Sequence, residues 1–246
     1  MKKVIAIILG LTILISCKKE SIKNCKLSNG DIKTEQRVIS EFTNILLKDN
    51  VNLILNRSNN SILEVEAGSN LISGIITVVN EHGTLEIRNN NECDWARDYN
   101  TPVNVYLNYT EIDTIEYRSI GNISTTDTIL TDTLWIRVME GAGKIDIAID
   151  VVRLYCELHY GTADIVLNGK CGLSFVYSSS FGLVDLRDLP TPIVFVTSRS
   201  SNNVFINATS TLGASIVNIG DIYYRGNPQN VTLDKTGAGN LIKLSN

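Results

Sequence analysis

The sequence predicts an all-β protein, a parallel β-helix of about seven coils preceded by antiparallel strands. Three observations carry this. Beyond the N-terminus no 3.6-residue amphipathic stretch occurs, whereas apolar and polar residues alternate with period 2 in many segments. From about residue 112 a small residue, any residue and an aliphatic residue recur with a period near 20. Alternating apolar residues also stand at fixed distances before and after these anchors, as expected when each coil buries its face only against its neighbours.

Composition sets the outer bounds. The chain has 246 residues, 43% hydrophobic and 20% charged, with only 4 Pro, so it can bury a sizeable core. Lys plus Arg number 22 against 26 Asp plus Glu, a net charge of −4, which excludes a polybasic nucleic-acid binder. The two histidines, His82 and His159, exclude a His-rich metal site, and no cofactor is implied.

Residues 1–16 have the pattern of a secretory signal. Lys2 and Lys3 precede an apolar run, Val4 to Ile15, that is short for a membrane span. The run ends Leu14-Ile15-Ser16-Cys17, which resembles a bacterial lipobox with Cys17 as the lipid-bearing residue. The expectation is a lipidated tether over residues 17–37 and a single domain over 38–246. The lipid would hold the protein to the outer membrane of the cell envelope, with the side left open.

The first strands follow from alternation. They are Val51 to Leu55, Leu63 to Glu66, Thr84 to Arg88 and Val103 to Leu107, separated by turn residues. The first two are expected to form a hairpin, and Ser69 to Ser73 one helical turn.

The solenoid anchors are Gly121, Gly143, Ala163, Gly182, Asn202, Gly220 and Gly239, spaced 22, 20, 19, 20, 18 and 19 residues apart. Nine, seven and five residues before four of them stand Leu134, Ile136, Val138; Leu154, Cys156, Leu158; Leu173, Phe175, Tyr177; and Ile193, Phe195, Thr197. These sets are expected to point inward and stack. A second column follows the anchors, from Ile145 and Ile147 to Val204 and Ile206. Coils about 4.8 Å apart would build a rod about 30 Å long. An antiparallel meander or sandwich with regular turns is the alternative that spacing leaves open.

With Cys17 assigned to lipid, four cysteines remain. Cys156 falls in the inward column as a small core hydrophobe. Cys171 is out of its register by four positions, which at about 3.3 Å per residue exceeds the ~7 Å reach of a disulfide. The expectation is a Cys25–Cys93 disulfide, with Cys156 and Cys171 as free thiols.

The ordered short motifs resemble the GIN-type auto-transporter adhesin head domain, a bacterial domain of unknown function. They are Phe42-Thr43-Asn44-Ile45, Ser69-Asn70-Leu71, Gly83-Thr84-Leu85-Glu86-Ile87, the Gly-Asn-Ile corners, and Tyr223-Tyr224-Arg225-Gly226-Asn227-Pro228 followed by Gly237-Ala238-Gly239-Asn240-Leu241. The resemblance covers about residues 38–243. It implies a β-solenoid with no established catalytic residues. Ala163 and Asn202 depart from the corner glycine.

Candidate chemistry is sparse. Asp146, Asp164 and Asp185 form a row of acids after successive anchors, the arrangement that a Ca²⁺-dependent or acid/base β-helix enzyme would use. No basic column accompanies them apart from Lys144 and Arg187, so a solvated surface is the favoured reading. His159 reads as surface, and the serines of 178–180 and 198–201 as a hydroxyl ladder at a turn. Trp95 and Tyr99, beside Arg97, sit in an irregular segment, where a packed loop is the favoured reading and stacking on sugars the alternative. Three Asp-Thr-aliphatic triplets, at Asp113, Asp127 and Asp132, resemble bacterial O-glycan acceptors. The function expected is that of a non-enzymatic envelope or surface lipoprotein, adhesin-like or a scaffold for a protein or glycan partner at a solenoid face or end. A polysaccharide lyase or glycosidase using the acid row is the alternative.

Overall fold

The computed structural model describes residues 28–92 and 101–245. Its strands are β1 (Ile32–Val38), β2 (Asn44–Asp49), β3 (Val51–Arg57), β4 (Ile62–Gly68), β5 (Ile75–Val79), β6 (Thr84–Asn89), β7 (Val103–Tyr109), β8 (Thr114–Ser119), β9 (Ile123–Gly141), β10 (Lys144–Leu158), β11 (Asp164–Ser178), β12 (Val184–Asp188), β13 (Thr191–Ser198), β14 (Val204–Ile216), β15 (Ile222–Arg225), β16 (Asn230–Lys235) and β17 (Leu241–Lys243). A 3-10 turn, Ile72–Gly74, overlaps the end of the helical turn expected over Ser69 to Ser73.

These strands build a β-solenoid of about six turns, close to the expected seven. Two ladders run along it. The first is β1–β4–β7–β3–β9–β10–β11–β12–β14–β15–β17. The second is β5–β6–β2–β8–β9–β10–β11–β13–β14–β16. The long strands β9, β10, β11 and β14 bend at a corner and serve both.

The parallel ladders begin at residue 44, well before the repeat is visible in sequence. Among the described strands the antiparallel pairs are β1–β4, β4–β7 and β5–β6, all at the N-terminal end. The expected hairpin of 51–55 with 63–66 does not form: β3 pairs parallel with β7 and β9, and β4 pairs antiparallel with β1 and β7. Alternation marks a half-buried strand but carries no information on its partner.

Inward columns fill the interior. Ile136, Leu134 and Val138 stack on Cys156, Leu154 and Leu158, all fully buried. On the other ladder Ile145 and Ile147 stack on Ile165 and Leu167. Each fully buried aliphatic side chain stabilises by about 1.5–3 kcal/mol. The exposed ion pairs, such as Lys144 with Asp146, contribute at most about 1 kcal/mol. The interior columns therefore dominate.

The third and fourth sets of the expected register are inverted. Ser174, Val176 and Ser178 face inward and are buried, as are Val194, Val196 and Ser198. Leu173, Phe175, Tyr177, Ile193, Phe195 and Thr197 face outward, with Phe195 44% exposed. Pairing keeps a 20-residue step here, from Cys156 to Val176 to Val196, while the corner before Gly182 has lost one residue. Counting back from the anchor therefore lands on the wrong parity, and a one-residue slip moves every side chain to the opposite face.

Corners are held in two ways. At Gly143 an added Cβ would stand 2.1 Å from the Gly121 carbonyl oxygen and 2.3 Å from the Tyr117 hydroxyl. Close approach, rather than a left-handed backbone, excludes side chains at this anchor. The residue after the anchor then caps the next coil. The Asn122 Oδ1 accepts the Lys144 N–H at 3.0 Å, Asp164 Oδ1 that of Leu183 at 2.8 Å, Asn203 Oδ1 that of Asp221 at 3.1 Å, and Asp221 Oδ1 that of Asn240 at 2.7 Å.

Candidate functional site

The three acids do not converge. Asp146 and Asp185 share one outward column, with Val166 between them, whereas Asp164 sits beside Lys144 in the corner column. Asp146 pairs with Lys144 at 2.6 Å. Asp164 spends one carboxylate oxygen on the Leu183 N–H. Asp185 pairs with Arg187. Burial works to raise its pKa, but hydrogen bonds and charge from Arg187, with the charge of Arg225, hold the carboxyl below the usual range. Among the described residues no group of three His, Cys, Asp or Glu could hold a metal ion.

The serines form corner ladders. Ser180 Oγ donates to the Gly161 carbonyl at 2.6 Å, and Ser200 Oγ donates to that of Ser180 while accepting the Asn202 N–H at 2.8 Å. His159 lies 3.2 Å from Glu157 and tilts against Tyr177. Cys156 and Cys171 are free and buried. Burial pushes the Cys156 thiol up to about 12 and raises that of Cys171, so neither supplies a thiolate near neutral pH. Cys17, Cys25 and Cys93, with Trp95, Arg97 and Tyr99, lie outside the described residues.

The most distinctive surface is the outer face of the second ladder. Trp135, Tyr155, Phe175 and Phe195 stand in one column, one per coil. Their rings stack at centroid distances of 3.8, 5.0 and 5.5 Å, with interplanar angles of 16° or less. Each stacked pair is worth about 0.5–1.5 kcal/mol beyond burial, which fixes the rings in place. The Arg137 guanidinium lies 4.3 Å over the Trp135 ring and is paired with Glu157 at 3.3 Å. Leu173 and Ile193 flank the column, and Ile193 is 38% exposed.

The column stops at Gly213, which follows Phe195 in register and is followed by Thr232. A groove lies at each end. The one beside Trp135, about 570 Å³, is lined by Glu111, Asp113, Thr114, Thr131, Asp132 and Thr133. The one beside Phe195, about 360 Å³, is lined by Thr197, Gly213, Ser215, Thr232, Leu233 and Asp234 among others. Ion pairs stand on both outer faces, Lys144–Asp146 and Asp185–Arg187 on the first ladder and Lys48–Glu86, Arg118–Glu116 and Arg137–Glu157 on the second. On the first ladder's outer face Phe205 stacks on Tyr223 at 5.0 Å, with Arg187 over the Phe205 ring.

Sequence reading places Phe175 and Phe195 in the core and gives Trp135 and Tyr155 no role. The signal that finds them is their shared interval of 20 residues, which needs no anchor.

The fold and this face define a class: a β-solenoid with a stacked aromatic column along one outer side. The chain belongs to the family "Putative auto-transporter adhesin, head GIN domain", whose model matches residues 41–228. Solved structures share the fold. A "putative adhesin" from Bacteroides fragilis has a TM-score of 0.81 at 20% identity, covering 88% of this chain and 99% of its own. A "putative lipid binding protein" from Parabacteroides distasonis scores 0.67 at 19% identity, with 88% and 98% covered. A "putative adhesin" from Parabacteroides merdae also scores 0.67, at 17% identity, with 89% and 98% covered. No curated protein matches.

Proposed function

We propose that the protein is a non-enzymatic, lipid-anchored envelope protein that makes adhesin-like contacts through the aromatic face of its second ladder. The observation that carries this is the column Trp135–Tyr155–Phe175–Phe195, held rigid by its own stacking and turned outward. Rings already fixed lose little side-chain freedom on contact, which favours binding. Exposed aromatic and aliphatic side chains grouped on one face mark interaction sites. The engagement of all three acids by their neighbours supports a binding role over hydrolysis or elimination. Attachment rests on the lipobox at Cys17, and among the described residues no helix is long and apolar enough to cross a membrane.

Two variants of the full chain test this. Tyr155→Glu with Phe175→Glu places charges in the column without touching the core. Expressing cells should then adhere several-fold less to mucin-coated and bare polystyrene surfaces. Undiminished adherence would overturn the contact face. Cys17→Ala should move the protein from the membrane to the soluble fraction and end fatty-acid labelling. Labelling that persists would overturn the anchor.

A further inference from the structure

The geometry points to a sugar-binding notch at the C-terminal end of the aromatic column, where Phe195 overhangs Gly213 and takes the apolar face of a neutral pyranose ring of a glycan. The inference rests on the contact face proposed above and names its ligand. Rings stacked on one another present only their edges to solvent. Trp135 is covered by Tyr155 on one side and carries Arg137 over its ring, and Tyr155 and Phe175 each lie between two rings. Phe195 differs. Phe175 stacks on one of its faces, and the next residue in the column is Gly213, which has no side chain.

The space is kept by that glycine. A Cβ at Gly213 would stand 2.7 Å from Phe195 Cδ1, so any larger residue would push the ring or fill the groove. The groove has the mixed character that ligand sites share, an apolar wall with a few polar groups. Around the Phe195 ring stand the hydroxyls of Thr197, Ser215 and Thr232 and the Asp234 carboxylate. Among the described residues none of these four side chains hydrogen-bonds within the chain. A pyranose has the matching chemistry: one face of C–H groups and a rim of hydroxyls. An aromatic side chain of a peptide would use the ring and leave the polar rim unanswered, and desolvating those groups unpaired costs binding energy.

Charge narrows the class further. Asp234 borders the notch, and the groove at the other end of the column holds Glu111, Asp113 and Asp132. Between the two, Arg137 is paired with Glu157, and the exposed Arg153 stands two coils before the notch, in the column that Leu173 and Ile193 continue. An anionic glycan would meet the like charge of Asp234 at the notch itself, so the notch selects against it.

Affinity electrophoresis of the full-length protein through gels containing laminarin, dextran, yeast mannan or polygalacturonate tests this. At least one neutral glycan should retard the protein, and polygalacturonate should not. Phe195→Ala should weaken that retardation at least tenfold. Gly213→Leu, which fills the notch and leaves Phe195 present, should do the same, while Val152→Ala, an exposed apolar residue away from the notch, should change nothing. Binding of none of the neutral glycans, equal binding by Phe195→Ala, or preference for polygalacturonate would each overturn the assignment. If the doubly charged column variant loses adherence while no neutral glycan binds, the contact face stands and the sugar falls.

Discussion

At the scale of single residues, the cysteines divide by environment. Cys156 sits in the inward column between Ile136 and Val176. Cys171 pairs in register with Val151 and donates its thiol to the Leu173 carbonyl at 3.2 Å. Burial suppresses both thiolates, which are the nucleophilic forms. Iodoacetamide at pH 8 should therefore label neither until the protein is denatured. In unreduced protein, peptide mapping should show Cys25 linked to Cys93. Closing that loop would contribute about 4 kcal/mol in the chain-entropy model. Two free thiols at Cys25 and Cys93 would refute the pairing. The placing of Cys156 was readable because its coil keeps a seven-residue step to the anchor. That of Phe195 was not, because one residue is missing from its corner.

At the scale of elements, corners and strands carry different information. The unspecified middle residue of the repeat proves to be an Asn or Asp ladder at Asn122, Asp164, Asn203 and Asp221, each accepting an N–H from the coil that follows. This assigns Asp164 a structural duty that its charge alone does not suggest. The anchor before it has a steric duty. Gly143→Ala should destabilise by about 1–3 kcal/mol, the usual cost of overpacking, because the new Cβ meets a backbone oxygen that cannot move away. A fall in the urea midpoint with unchanged slope would show it, and an unchanged midpoint would refute the close approach. Alternation placed β3, β4, β6 and β7 and the strands of the repeat, but not β1, β2, β5 or β8. Strand partners before residue 112 were not legible, since pairing depends on where the chain returns and no local residue encodes that.

At the scale of the whole molecule, the solenoid has two unlike outer sides: the four-ring aromatic column runs along the second ladder only, while ion pairs stand on both. Among the described residues each acid of the expected row is engaged by a neighbour. Incubation with polygalacturonate, with or without Ca²⁺, should yield no unsaturated products. Products that vanish in Asp164→Asn would restore the enzymatic alternative. The order of the coils has a further consequence, for how the molecule is made. β2 and β3 lie between β6 and β7 on one side and β8 and β9 on the other, so the first coil synthesised ends in the middle of the ladders. Val51 waits for Val103, and Leu53 for Ile123, before its edges are satisfied. Closures of 52 and 70 residues are slow compared with the 20-residue step from Ile145 to Ile165. A chain folding from its N-terminal end therefore cannot wind up rung by rung from its first strand. The regular coils must wait for, or template, a return crossing near residue 120, and until then two open strand edges are exposed to neighbouring chains.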